Sequence, residues 1–262
     1  MRQLLYTEWL KVKNYRTFWV LSALFLISIF GINYIAYQIQ DARPKDNPMA
    51  DALIGVPPFQ FPEVWQTVAY MSSFLLFIPG LLMIISLTNE FSFRTHRQNI
   101  IDGWSRNQFI SVKLLLVLIL SLASTLIVLG NAYFFGMAEA RPFSAEKMEY
   151  IGYFFLQAMS YTAVALLFGL LFRRSGIAIG VYFLYVVVLE NMIAGLLNRY
   201  AGNTGYFLPL ESSDSLIPFP FLRELTKRFV ERPDATYLLV ATGVYLVLYY
   251  FLARRKFETT DL

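Results

Sequence analysis

Apolar residues along this chain gather into six long runs, and polar residues are largely confined to the stretches between them. The runs are Thr17 to Ile39, Val64 to Thr88, Gln108 to Met137, Tyr150 to Phe172, Gly176 to Asn198 and Ala235 to Ala253. A hydrocarbon core of about 30 Å takes roughly 20 helical residues to cross, so each run predicts a transmembrane helix. The third is long enough to tilt or to project from the bilayer. Pro79-Gly80 inside the second predicts a kink there. Met1 to Tyr15 reads differently. Met1, Leu4, Leu5, Trp9 and Val12 recur at helical spacing, with Arg2, Gln3, Glu8, Lys11 and Lys13 mostly between them. That pattern predicts an amphipathic helix lying in the membrane interface, with Trp9 and the lysines at headgroup depth.

Composition turns these elements into a fold class. The 262 residues are 57% hydrophobic and only 15% charged, more apolar surface than a soluble domain of this size can hide. Lipid is the solvent for most of the chain, and the expected fold is an all-α polytopic membrane protein forming one transmembrane domain. The absence of cysteine excludes disulfides, thiolate metal sites and cysteine nucleophiles. The formal charge of +4 is no argument for nucleic acid, because the basic residues sit where span ends meet headgroups. Thirteen of the 22 lysines and arginines fall on one side of the predicted topology and four in the short loops opposite (Arg43, Lys45, Arg141 and Lys147), which places both termini in the cytoplasm. The first apolar run exceeds twenty residues with no small-residue cleavage site after it, so it reads as a retained span.

Between the second and third runs lies a polar island, Asn89 to Asn107, reading NEFSFRTHRQNIIDGWSRN. Thr95-His96-Arg97-Gln98 has the spacing of a capping box, and Gly103 is suited to end the helix that follows. The expectation is a helix over about residues 95–103, too short to stand without a partner surface. Ser105-Arg106-Asn107-Gln108 is a second capping box and opens the third span. Ile100, Ile101 and Trp104 offer apolar contact, and Arg94, Arg97 and Arg106 offer charge. A basic loop resting on phospholipid explains the charge but does not require two capping boxes and a tryptophan. The island therefore reads as a docking element.

Two further features carry chemistry. Residues 199–234 are broken by prolines at 209, 218, 220 and 233, yet the middle, Phe207 to Leu222, is apolar; this predicts an external segment that dips partly into the membrane. Glu190, beside Asn191 in the fifth run, is an intramembrane carboxylate. It is a pathway candidate by default, set against a structural reading in which it holds two helices together. Gly176 and Gly180 form a small-xxx-small step in the fifth run, and Ala165 and Gly169 another in the fourth. No GxxxxGK[ST] motif occurs, so any nucleotide-driven activity requires a partner. The sole histidine, His96, sits in a loop away from acidic clusters, which leaves no ligand set for a metal or for intramembrane hydrolysis.

The interfacial helix, the six spans, the helix between the second and third spans and the wording NEFSFRTHRQNIIDGWSR together resemble the permease subunit of ABC-2-type (type V) ABC exporters, the small bacterial six-span family. In residues the similarity is specific over the island and over the closing basic tail, Arg254 to Leu262. It implies a half-transporter in the bacterial cytoplasmic membrane. Two permease copies would form the pathway, and two copies of a separate ABC ATP-binding subunit would supply ATP and Mg. The first helix would be the elbow helix. The island would be the coupling helix, docking to the ATPase through Arg94, Thr95, His96, Arg97, Gln98, Ile100, Ile101, Trp104 and Arg106. The first and fifth spans, with Gly176 and Gly180, would build the dimer interface. The external segment would be re-entrant and close the pathway from outside. Membrane lipids are expected partners; nucleic acid is not. The alternative from the residues is a gradient-driven secondary transporter, a class marked by broken spans around buried ion ligands.

Overall fold

With no water to satisfy backbone groups, a chain in lipid pairs them internally, which favours helices. The computed structural model describes residues 2–42, 57–101, 103–139, 142–221 and 232–258, and among them there is no strand. The elements in order are α1 (Arg2–Lys13), α2 (Arg16–Asp41), α3 (Val64–Ser73), α4 (Phe77–Ser92), α5 (Thr95–Ile101), α6 (Arg106–Ala138), α7 (Glu149–Phe172), α8 (Ser175–Leu184), a π-helical turn (Tyr185–Leu189), α9 (Glu190–Tyr200), a 3₁₀ turn (Asn203–Phe207), α10 (Glu211–Asp214) and α11 (Ala235–Glu258). Five of these units are long and apolar enough to cross a membrane, and six if the bent pair α3–α4 is one span. The chain is thus a membrane-type helical bundle. Arg43, Lys45 and Arg141, used above to orient it, lie outside the described residues, as do positions 222–231 of the external segment.

The bundle is organised around α7. Its most apolar window is 67% buried, against 17% for the windows of α2 and α11, so α7 is the axis and those two are the rim. Small residues let neighbours approach it. Ala165 is fully buried, and a side chain at Gly169 would press on Leu87 of α4 at 2.9 Å. This small-xxx-small step is therefore spent on intrachain packing. Gly176 and Gly180 meet nothing within 4 Å and face outward.

The second run bends by 46°. The break lies at residues 74–76, one turn before Pro79-Gly80 instead of at the dipeptide itself. Proline acts backwards along a helix: it has no N–H for the carbonyl four residues earlier, here Leu75, and its ring crowds that carbonyl. The backbone tightens to three-residue bonds through the break, from Leu75 to Ser72, Leu76 to Ser73 and Ile78 to Leu75. Gly80 has a separate task. The buried Tyr182 of α8 lies against it, with its ring and hydroxyl where a Cβ would stand.

Two ends of the bundle can be told apart. The basal end carries α1, α5, the α7–α8 turn and the end of α11, where the Arg106 guanidinium donates to the Glu258 carbonyl. At the distal end Lys147 pairs with Glu63 at 2.6 Å and the Trp65 indole donates to the Ser144 carbonyl at 2.8 Å. The described part of the segment after α9 folds back into this end. Leu210, Ser212, Ser213, Leu216 and Ile217 are buried, and the Gln66 amide donates to the Pro218 carbonyl at 2.7 Å.

Candidate functional site

At the basal end four charged side chains from three elements meet out of water. Lys113 lies about two turns into α6, is wholly buried, and donates to Glu8 of α1 at 2.5 Å and to Glu90 of α4. Lys11 of α1 completes the group, 2.7 Å from Glu8 and 3.2 Å from Glu90. Two cations face two carboxylates, so the cluster is neutral as a unit while each member depends on the others. Burial works to raise the Glu8 carboxyl, but Lys113 and Lys11 outweigh it and hold Glu8 below the usual carboxylate range. A buried ion set of this kind adds little net stability yet is costly to break in part. Its consequence is positional: α1 is tied to the helices on both sides of the polar island, α4 and α6.

Sequence reasoning placed Lys113 only as a topology charge and Glu8 on a polar face. In the structure Glu8 and Val12 point into the protein while Tyr6, Trp9 and Leu10 face outward. The available signal was that a lysine set inside a long apolar run must find partners.

The island sits directly above this cluster. Its helix is α5, Thr95–Ile101, somewhat shorter than expected. Thr95 is already helical and not the cap; Arg94 precedes it with a left-handed backbone at φ 57°. The second capping box forms as expected: the Gln108 N–H donates to Ser105 Oγ at 3.2 Å and the Ser105 N–H to Gln108 Oε1 at 2.9 Å. Gly103 adopts φ 97°, the left-handed conformation that glycine accepts. His96 turns inward, its Nδ1 2.9 Å from the Glu90 carbonyl and its ring on Phe91, and so anchors the helix instead of presenting itself. Trp104 is half-buried with the Lys11 ammonium 5.8 Å over its ring. Arg106 reaches back to α11. What α5 and its flanks present outward is Arg94, Gln98, Ile101 at 78% exposure and, unforeseen from the sequence, Phe93 at 74%. The side chains of Arg97 and Ile100 lie outside those described.

The distal end holds a second polar group. The π turn at Tyr185–Leu189 inserts an extra residue into the fifth run and turns Glu190 into the protein, where it is 4% exposed. Its carboxylate accepts the Leu210 and Glu211 backbone N–H groups, the latter at 3.0 Å. Glu190 thereby caps α10 and pins the segment after α9 to the bundle. Asn191 faces outward beside it, with its amide on the Val186 carbonyl at 3.0 Å. Asp214, absent from any sequence expectation, accepts from Gln157 at 2.7 Å and from the Tyr161 hydroxyl at 2.8 Å, both on α7. Burial pushes its carboxyl up to about 8, and raises Glu211 as well. A cavity of about 470 Å³ opens here, between the α3–α4 break, α7, the π turn and the external segment. Asn191, Asp214 and Gln157 line it; Glu190 stands behind it. Among the described residues, no group of three or more His, Asp or Glu is arranged to hold a metal ion.

Residues 48–262, which include every element from α3 to α11, match the model of one protein family. The chain belongs to the DUF2705 family, whose description is "protein of unknown function". No curated protein matches it. In this DUF2705 member the matched region contains the island, Glu90, Lys113 and the whole distal cavity, whereas Glu8 and Lys11 precede it.

Proposed function

We propose that this chain is the membrane-spanning permease subunit of an ATP-driven exporter in a bacterial cytoplasmic membrane. A second permease copy completes the pathway, and two separate ABC ATP-binding subunits drive it from the cytoplasmic side, where both termini lie. The observation that carries this reading is the join between α5 and the buried ion cluster beneath it. His96 bonds the backbone of Glu90, and Glu90 shares Lys113 and Lys11 with Glu8. A force applied to α5 is thus delivered at once to α4, α6 and α1. The outward pair Phe93 and Ile101 supplies an apolar contact for a partner, flanked by Arg94. ATP and Mg belong to that partner; this chain carries out no chemistry of its own.

The test is affinity purification of the full chain from its native membrane. A P-loop ATPase is expected to co-purify, and Ile101→Glu or Arg97→Glu is expected to deplete it without lowering the yield of the permease. Equal recovery with both variants, or no ATPase with the wild type, contradicts the reading.

One observation favours a second reading, a gradient-driven transporter. Glu190, Glu211 and Asp214 stand close together beside a break in one span and a π turn in another, the kind of place where such proteins hold their coupling ions. Uptake into liposomes driven by a pH gradient, with no nucleotide and no second protein, would select it.

A further inference from the structure

The distal cavity presents acceptors that lack donors. Gln157 is 2% exposed; its amide N–H is given to Asp214, and among the described residues its Oε1 has no hydrogen-bond partner although the side chain stands at the cavity wall. A buried carbonyl oxygen left bare is costly, so a ligand that donates to it is favoured. Asp214 is half-buried at the same wall; among the described residues its hydrogen-bond partners are the neutral Gln157 and Tyr161, and no cation forms an ion pair with it. The one described cation of the cavity, Arg232, lies at the exposed mouth nearer Glu211. The opposite wall is aromatic: Tyr70 and Phe74 pack edge to face at 5.3 Å, with Phe77 on the other side of the break. A volume of about 470 Å³ lies within the usual range for small-molecule sites.

We propose that this cavity binds an amphipathic primary amine, its ammonium held between Asp214 and Gln157 Oε1 and its apolar body against Tyr70, Phe74 and Phe77. The ammonium serves both groups at once, stabilising Asp214 as the carboxylate and giving Gln157 an N–H donor. A neutral amide supplies only the second and a quaternary ammonium only the first. The aromatic faces add attraction for the cation and cover for the chain behind it. In naming this amine as cargo the proposal rests on the export reading; as a binding site it does not.

Binding also moves a proton. The groups facing Asp214 are Gln157 and Tyr161 of α7, Tyr182 of α8, Tyr70 of α3, Glu190, Glu211 and, at the mouth, Arg232. Burial, with Glu211 and Glu190 nearby, keeps the Asp214 carboxyl protonated at neutral pH. The ammonium binds the carboxylate, and the carboxyl proton leaves to solvent. Affinity therefore rises with pH, by about tenfold per unit below pH 8, as the competent form fills.

The experiment is fluorescence titration of the full chain in lipid nanodiscs with dansylcadaverine, a dansyl ring on a five-carbon stem ending in a primary amine. The N-acetylated dye is the control. Wild type is expected to bind the free amine at least about tenfold more tightly than the acetylated form, and more tightly at pH 8 than at pH 6. Asp214→Asn, which keeps an acceptor for Tyr161, is expected to lose that preference and the pH dependence. Gln157→Met, similar in shape but with no acceptor, is expected to weaken binding and is read in its place if Asp214→Asn does not fold. No binding by wild type, equal binding of both dyes, or unchanged binding in the folded variants overturns the proposal. No ATPase is needed in this assay, so failure of the export reading leaves its outcome untouched.

Discussion

Replacing Lys113 with methionine probes the basal cluster most directly. The ammonium is wholly buried, and its two partners, Glu8 and Glu90, are each 4% exposed. Methionine has nearly the same volume and length, so packing changes little. The charge balance changes completely: two buried carboxylates are left with Lys11, whose side chain is 25% exposed and whose contact with Glu90 is the longer one, at 3.2 Å. Truncating one partner of a buried ion set costs about 3–5 kcal/mol. At about 2–4 °C per kcal/mol for a chain of this size, the melting temperature should fall by roughly 10 °C. The triple variant Glu8→Gln/Lys113→Met/Glu90→Gln removes the charges together and is expected to recover most of that loss, because a buried ion set can often be replaced whole at little cost. Thermal unfolding of the detergent-purified chain, compared within the series, is the assay. Acid should act on the same cluster. Glu8 is held below its unfolded value of about 4.3, so its contribution is full above that pH and is lost as pH falls through the folded value. A triple variant as unstable as Lys113→Met, or a single variant as stable as wild type, would refute the claim that the four charges act as one unit.

Three other outcomes follow from the packing. Gly80→Ala should destabilise by about 1–3 kcal/mol through collision with Tyr182, and Tyr182→Leu should relieve part of that cost, as read by the melting temperature of the double variant. Glu190→Leu should raise hydrogen exchange at the Leu210 and Glu211 amides, while Glu190→Gln, which keeps an acceptor oxygen, should raise it much less; equal exchange in both variants would show that Glu190 does not cap α10. Because the chain has no cysteine, single substitutions report topology without background. Ser105→Cys at the basal end is expected to be labelled by an impermeant maleimide only in inverted vesicles, and Ser144→Cys at the distal end only in intact cells. The reverse pattern would place the island outside the cell.

The long helices were legible because their cause is local. A run of apolar residues in lipid must satisfy its own backbone, so the expected spans 108–137 and 150–172 lie inside the observed Arg106–Ala138 and Glu149–Phe172 with ends no more than two residues apart. The Ser105 capping box is local in the same sense, since four consecutive residues hold everything it needs. The kink was legible but misplaced, because a proline disturbs the carbonyl a turn behind it. The direction of the His96 ring was not legible in the sequence, because the carbonyl it meets belongs to Glu90, six residues back around the turn.

Membrane-type helical architecture and the existence of a short helix between two long ones were determined by sequence alone, since hydropathy and capping act over a few turns of one segment. Which charges share Lys113, why Glu190 turns inward, and that Asp214 meets Gln157 were decided by tertiary structure. Those partners stand 105 residues apart for Glu8 and Lys113 and 57 apart for Gln157 and Asp214. A buried charge announces that it needs a partner, but only the packing of helices around α7 selects which one it meets.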